Sequence, residues 1–389
     1  MCYDKRKICF VITSRIHYGR SKMILDEIKK HPALDLQIVV GASAILPTYG
    51  DILSIMEKDG FKYNAKIIMT LEGGSPVAMA KTAGIGITEF ATAFDNLQPD
   101  IVVLRGDRYE VLSAAVAAAY LNIPVAHIEG GDITGTIDES VRHAITKLAH
   151  IHFPTNEDSK QRILSMGEDP DYVFNVGCPG LEFIDNNRKE VTNEYLNEKG
   201  VGDAVDIAKP YLLVMQHPVT TEFGDNRHNT VETLEAVLAS GMQAIWFWPN
   251  VDAGTDEVSK AIRSFREEHN PKGMRFIKYI PAEEFTMLLD SAACLVGNSS
   301  AGIKEASFLG VSVVNIGTRQ RGRRQGKNVV NVSYNREEIL DAIKHQVAHG
   351  RYERDEYYYR SDTSKNMVNL LANIKLYTQK FFHDPKKYV

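Results

Sequence analysis

Residues 101–132 read IVVLRGDRYEVLSAAVAAAYLNIPVAHIEGGD, and this stretch decides the fold class. Ile101 to Leu104 is a short β-branched run, Val111 to Tyr120 is an alanine-rich segment of helical length, and Val125 to Ile128 is a second apolar run. A strand, a helix and a strand within about 30 residues make a βαβ unit, which joins parallel strands. Both strands run into polar residues: Arg105-Gly106-Asp107-Arg108 after the first, Glu129-Gly130-Gly131-Asp132 after the second. Ligands of open parallel sheets bind at the carboxyl ends of strands, so these two segments are the first places to look for chemistry.

The same alternation extends in both directions. Lys7 to Ile12, Leu36 to Val40, Lys66 to Thr70, His150 to Pro154 and Val173 to Val176 complete one set of expected strands. After a polar stretch from Asn186 to Lys209 the pattern restarts with Tyr211 to Met215, Ala244 to Trp248, Arg275 to Tyr279, Ala293 to Val296, Val311 to Asn315 and Val329 to Val332. The expected fold is therefore α/β, with two Rossmann-like lobes of parallel sheet, residues 1–185 and 186–365, and a ligand site in the cleft between them. A last helix, Thr363 to Phe382, is long enough to cross back, so residues 366–389 are expected to pack on the first lobe.

Other strand ends are polar too: Thr13-Ser14-Arg15, and Gln216-His217-Pro218-Val219-Thr220-Thr221. Gly297-Asn298-Ser299-Ser300-Ala301-Gly302 joins a strand to the segment carrying Glu305. Free N–H groups at a helix start, with two hydroxyls, suit a diphosphate, and Glu305 could accept from ribose hydroxyls. The plainer reading of Ser299 and Ser300 is an ordinary N-cap. Arg319, Arg321, Arg323 and Arg324 follow the next strand, where basic residues are ordinarily a solvated loop; together the two elements favour an anion site. Asp107, Glu129 and the Asp138-Glu139 pair that opens the next helix supply acids. A lone carboxylate at a helix start usually just stabilises the dipole, but clustered carboxylates raise one another's pKa and become usable acids and bases. His217, a structural residue if alone, faces that cluster as a candidate proton shuttle.

Composition removes several function classes. Lys+Arg 45 against Asp+Glu 50 gives a net charge of -5, so no basic field draws the chain to nucleic acid or an anionic membrane. With 44% hydrophobic residues, 389 residues can fill two cores, yet no apolar run approaches the roughly 20 residues of a membrane span. No signal-peptide pattern follows the charged start, and a soluble cytoplasmic protein is expected. Cys2, Cys9, Cys178 and Cys294 lack disulfide or CxxC spacing and read as structural thiols. His143, His150 and His152 have the wrong spacing for a metal site. Neither a GxGxxG after a strand nor a Walker A motif is present, so no metal and no cofactor are expected.

The run His127-Ile128-Glu129-Gly130-Gly131-Asp132-Ile133-Thr134-Gly135-Thr136-Ile137-Asp138-Glu139-Ser140-Val141-Arg142-His143-Ala144-Ile145-Thr146-Lys147-Leu148-Ala149-His150 closely resembles the hydrolysing UDP-N-acetylglucosamine 2-epimerases. So do Arg105-Gly106-Asp107-Arg108, Gln216 to Thr221, Asn298-Ser299-Ser300 and Gly317-Thr318-Arg319-Gln320, in the right order over nearly the whole chain. The resemblance implies a glycosyltransferase-B-like fold and a stand-alone bacterial enzyme forming homodimers or homotetramers. It implies conversion of UDP-N-acetylglucosamine and water to N-acetylmannosamine and UDP in sialic acid biosynthesis, by anti elimination of UDP through a 2-acetamidoglycal, then hydration. Relatives act instead on UDP- or GDP-N,N'-diacetylbacillosamine, the legionaminic acid precursor; a nucleotide-sugar glycosyltransferase and an idle sugar-nucleotide sensor are the other readings. Carried over by motif, Asp107, Glu129, Asp138 and His217 form the catalytic set, with Glu129 and Asp107 leading for proton movement at C2 and the first base left open. Arg15, Arg108, Ser299, Ser300, Glu305 and Arg319 are carried over as UDP contacts, and Asn250 as a sugar-side candidate. His17 stands where the family often has an acid in its Arg-Ala-Asp/Glu-Tyr loop, so that loop is expected to contribute only Arg15. Lys260 and Arg263 occupy the places of two regulatory arginines of the animal enzymes, so feedback inhibition is not carried over.

Overall fold

The computed structural model describes residues 5–46, 52–71, 75–250 and 252–384. The first sheet holds β1 (Arg6–Ile12), β2 (Leu34–Gly41), β3 (Ala65–Ile67), β4 (Ile101–Arg105), β5 (Val125–Ile128) and β6 (Ile151–Phe153). They are all parallel, in the order β3-β2-β1-β4-β5-β6. The second sheet holds β7 (Val201–Gly202), β8 (Tyr211–Met215), β9 (Gln243–Phe247), β10 (Met274–Ile277), β11 (Cys294–Gly297), β12 (Val313–Ile316) and β13 (Val329–Val332). Its order is β13-β12-β11-β8-β9-β10-β7, parallel except for β7, which pairs antiparallel with β10. Counted from β8, the six parallel strands repeat the permutation of the first sheet. The chain thus carries the doubly wound order twice, with β7 as an edge addition that the sequence reading missed.

Both faces of each sheet are covered, which is why the strands read as unbroken apolar runs. Ile8, Phe10 and Ile12 of β1 point into one core, while Cys9 and Val11 point into the core on the opposite face. Leu212 and Val214 of β8 divide from Tyr211 and Leu213 in the same way. Cys9, Cys178 and Cys294 are buried free thiols, and Cys2 lies outside the described residues. Among the described residues no helix is long and apolar enough to cross a membrane.

Three expected elements differ. The strand expected at Lys66 to Thr70 stops at Ile67, because Ile68 turns out to solvent at 71% exposure and leaves the sheet. Val173 to Val176 is no strand: Val173 alone bridges to His152, and Gly177, at φ +91, turns the chain away into the helix Pro179–Asn186. The last helix is shorter than expected, Thr363–Asn373. Ile374 takes extended dihedrals, and the following residues form a strap in which Tyr377 donates to the His150 carbonyl at 3.1 Å and Lys380 to Glu168 at 2.6 Å. Although it follows the second lobe in sequence, this helix buries Met367, Val368 and Leu371 in the first lobe's core.

Candidate functional site

In each sheet the strand order reverses between two neighbours, β1 and β4 in the first, β8 and β11 in the second. The loops leaving those strands diverge there, at the place where sheets of this order form a ligand crevice. After β1, Ser14 caps the helix Arg15–Lys30, accepting from the His17 N–H at 3.3 Å. After β4, Gly106 sits at φ +83, a left-handed turn that glycine makes without strain, and it delivers Asp107 and Arg108 to the crevice. After β5, Glu129 itself is left-handed at φ +69, and a side chain on Gly130 would press on His127 and Thr146 at 2.9 Å. A non-glycine residue held at positive φ stores strain, and such residues cluster at functional sites. On the other lobe, the His217 N–H donates to Asn298 Oδ1 and the Asn298 amide returns a bond to the His217 carbonyl, each at 2.8 Å. The loops after β8 and β11 are thereby tied to each other.

The two lobes meet at these loops. The Gly135 N–H donates to the Arg319 carbonyl at 3.2 Å, and a methyl group at Gly135 would overlap the Thr318 carbonyl. Arg108 reaches across to Asp252 at 2.8 Å while holding Glu110 at 2.6 Å. Arg20 pairs with Glu305, and Lys304 with Glu129 at 3.4 Å and Asp132 at 3.2 Å. Arg15 crosses to lie over the Tyr279 ring at 4.1 Å.

Within this crevice the acids differ in ionisation. For Asp107, burial works against the charge, but Arg142, which donates to it, and Arg323 outweigh burial and hold the carboxyl below its ordinary range. For Glu129, burial is again opposed and overcome, here by Arg105, Lys304 and Arg20, and the carboxyl lies well below the usual carboxylate range. Asp138 goes the other way. It opens the helix Asp138–Leu148, where the dipole favours an anion by about 0.3–1 kcal/mol, less than one pKa unit. Burial first, then the charges of Asp107 and Asp252, win over that and push it up to about 7. Two neighbouring carboxyls with separated ionisation are the arrangement from which an acid and a base are made.

His217 is buried, and burial first, then Arg319, pushes its imidazole down to about 3. Its Nδ1 accepts the Asn250 N–H at 3.3 Å, so the neutral ring carries its proton on Nε2. Arg319 donates to the Asn298 carbonyl at 3.2 Å, beside Ser299. Ser299 does cap, accepting from the Ala301 N–H at 3.3 Å, but the helix it starts is one turn, Ser300–Ile303, broken at Lys304. One turn adds little macrodipole, so an anion there depends on N–H groups, hydroxyls and Arg319.

Of the residues singled out in the sequence, Asp107, Asp138, His217, Arg108 and Arg319 fall within electrostatic reach of one another, joined through Asp252. Glu129 sits in an adjoining nest of cations. Arg108 and Glu305 are already engaged by charges, which leaves the second oxygen of Glu305 and the remaining nitrogen of Arg108 buried without partners. Asn250 donates to Asp252 at 2.5 Å. Arg324 pairs with Asp355 away from the crevice, and Arg323 turns inward to Asp132 at 3.4 Å. Sequence reading missed Asp252, Arg105, Arg20, Lys304 and Arg142. Arg105 and Arg142 stand inside motifs that the sequence analysis singled out, and a charge at the end of an apolar strand, as at Arg105, was the available signal. His17, expected to be idle, is buried over Gly106, with its Nδ1 at 3.0 Å from the Thr13 hydroxyl.

A family model described as UDP-N-acetylglucosamine 2-epimerase matches residues 26–372. The chain is similar to the UDP-N,N'-diacetylbacillosamine 2-epimerase (hydrolyzing) of Legionella pneumophila, 34% identical over 374 residues, covering 96% of this chain and 97% of that protein. It is 32% identical over 361 residues to a UDP-N-acetylglucosamine 2-epimerase of Neisseria meningitidis, covering 92% of each. Among solved structures, the UDP-GlcNAc 2-epimerase of Methanocaldococcus jannaschii, in complex with UDP-GlcNAc and UDP, superposes with a TM-score of 0.76 at 18% identity, covering 94% and 99% of the two chains. At that identity the likeness is one of fold, the two-lobed, glycosyltransferase-B-like α/β arrangement.

Proposed function

Since the chain belongs to the UDP-N-acetylglucosamine 2-epimerase family, we propose that it is a hydrolysing 2-epimerase that converts UDP-N-acetylglucosamine and water to N-acetylmannosamine and UDP. The observation that carries this reading is the opposed ionisation of Asp107 and Asp138 in one crevice. Asp107, ionised, takes the C2 proton as the C1–oxygen bond breaks and its electrons leave on the β-phosphate of UDP. A C1–C2 double bond forms. Asp138, carrying a proton near neutral pH, delivers it to C2 from the opposite face, and water adds its hydroxyl to C1; the water's remaining proton restores Asp138, and Asp107 passes the proton taken from C2 to solvent. Glu129, fixed and ionised, faces the positive charge that builds at C1 during hydration. The Nε2–H of His217 and the guanidinium of Arg319 hold the departing diphosphate beside Ser299 and Ser300, and the free oxygen of Glu305 takes the ribose.

Purified protein with UDP-N-acetylglucosamine alone, in deuterium oxide, tests the proposal. Release of UDP and N-acetylmannosamine with one deuterium at C2 is expected, and product without that deuterium sinks the elimination route. A need for an acceptor would instead favour a glycosyltransferase, and binding without turnover a sensor. The 34% identity to the diacetylbacillosamine relative favours a second reading, the same reaction on UDP- or GDP-N,N'-diacetylbacillosamine. Comparing kcat/KM for the three sugar nucleotides decides between them. Two or four copies of the chain are proposed in solution, seated on the helix Pro76–Leu97, where Val77, Ile85 and Ile87 are exposed; light scattering on the purified chain reads the number.

A further inference from the structure

Lys304 is a lysine with 4% of its surface exposed, at the break between the one-turn helix after Ser299 and the next helix, Glu305–Leu309. Burying an ammonium costs several kcal/mol unless opposite charge surrounds it. Both of its carboxylate partners belong to the first lobe: Glu129 at 3.4 Å and Asp132 at 3.2 Å, with the Tyr358 ring 5.2 Å away. The next residue, Glu305, reaches into the same lobe with the opposite charge, to Arg20. Two consecutive residues of the proposed nucleotide-gripping segment thus plant a cation and an anion beside Glu129. A purely structural bridge would need only one of them.

We propose that Lys304 is the positioning residue through which the second lobe holds Glu129 ionised and aimed at the sugar, so that the anion is complete only when the lobes are closed on the nucleotide segment. The inference rests on the role given to Glu129 above. The other groups facing Glu129 are Arg105 from β4, Arg20 from the helix Arg15–Lys30, Cys178 before the helix Pro179–Asn186, and Asp107 and His17. Arg105 binds one carboxylate oxygen at 3.1 Å, and Lys304 and the Cys178 thiol, at 3.5 Å, share the other. Arg20 is held by Glu305. When a ribose takes the free oxygen of Glu305, the Lys304 contact is untouched. Lys304 therefore links the nucleotide segment to Glu129 directly, whereas Glu305 reaches it only through Arg20.

The test uses the full chain with Lys304→Met, Lys304→Arg and Glu129→Gln, read as kcat/KM against pH, with UDP affinity measured separately. Removing an opposite charge at this distance raises a carboxyl pKa by about 1–3 units. Lys304→Met is expected to raise the acid limb of the profile by that amount with UDP affinity within about threefold of the parent, and Lys304→Arg to return the limb to its parental place. An unmoved limb in folded Lys304→Met, or failure of Lys304→Arg to restore it, overturns the proposal. If the methionine variant does not fold, Lys304→Gln, which keeps a donor and drops the charge, carries the same expectation. Full turnover by Glu129→Gln removes the role given to Glu129, whereas a crippled Glu129→Gln beside an unmoved Lys304→Met limb removes only the role given to Lys304.

Discussion

Asp138→Asn is expected to lower turnover by about three orders of magnitude, about 4 kcal/mol of transition-state stabilisation, while UDP affinity stays within about threefold. The size follows from its role, because an asparagine cannot give C2 its second proton. The change is mild for the fold. Asp138 opens its helix, and the bond from its own N–H to the Thr136 hydroxyl, at 3.3 Å, belongs to the backbone and survives. The pH dependence has a definite sign. The carboxyl is pushed up to about 7 by burial and by Asp107 and Asp252, and it acts in its protonated form, so kcat/KM falls as pH rises through about 7. In Asp138→Asn the residual activity should lose that alkaline limb. A limb that persists unchanged in the variant assigns it to another group and removes Asp138 from the acid role.

The sequence carried the architecture because parallel strands buried on both faces leave continuous apolar runs, and helices between them leave a different period. Twelve of the thirteen strands among the described residues begin or end near an apolar run; β7, two residues long and exposed, has no such signature. The errors came where tertiary surroundings override local pattern. Val173 to Val176 has strand composition, but Gly177 and the Pro179–Asn186 helix pull the chain out of the sheet. The segment after Asn373 has aromatic residues that look helical in spacing, yet Tyr377 is taken by Tyr172 and His150, at ring distances of 4.7 and 5.1 Å. The site was half legible for the same reason. Residues just after strands are found by position, which gave Asp107, Glu129 and His217. Their ranking was not, because ionisation depends on which cations fold against each acid. Arg142, 35 residues from Asp107, and Lys304, 175 residues from Glu129, are among the cations that hold Asp107 and Glu129 below the ordinary carboxylate range while Asp138 is pushed up. Reading from sequence put Glu129 beside Asp107 as a leading proton carrier; its three cationic neighbours favour a fixed anion instead.

Asp107→Asn should have the other large effect, and its signature differs from that of Asp138→Asn. Without a base on the C2 side, the elimination itself stops, so UDP release falls about a thousandfold and no deuterium enters substrate or product. Arg142, 1% exposed, loses the charge opposite it but keeps the Asp132 carbonyl at 2.8 Å and the Thr134 hydroxyl at 3.3 Å. A stability loss of about 2 kcal/mol is therefore expected, visible in thermal melting without unfolding the protein. The coupling gives a sharper test. Asp107 is one of the two charges that raise Asp138, and an asparagine there removes it. The alkaline limb in the residual activity of Asp107→Asn must then move to lower pH than in the parent, because Asp138 gives up its proton more readily beside a neutral neighbour. A limb that moves upward, or stays, would show that the two carboxyls do not share the crevice as a coupled acid and base, even if each substitution alone abolished turnover.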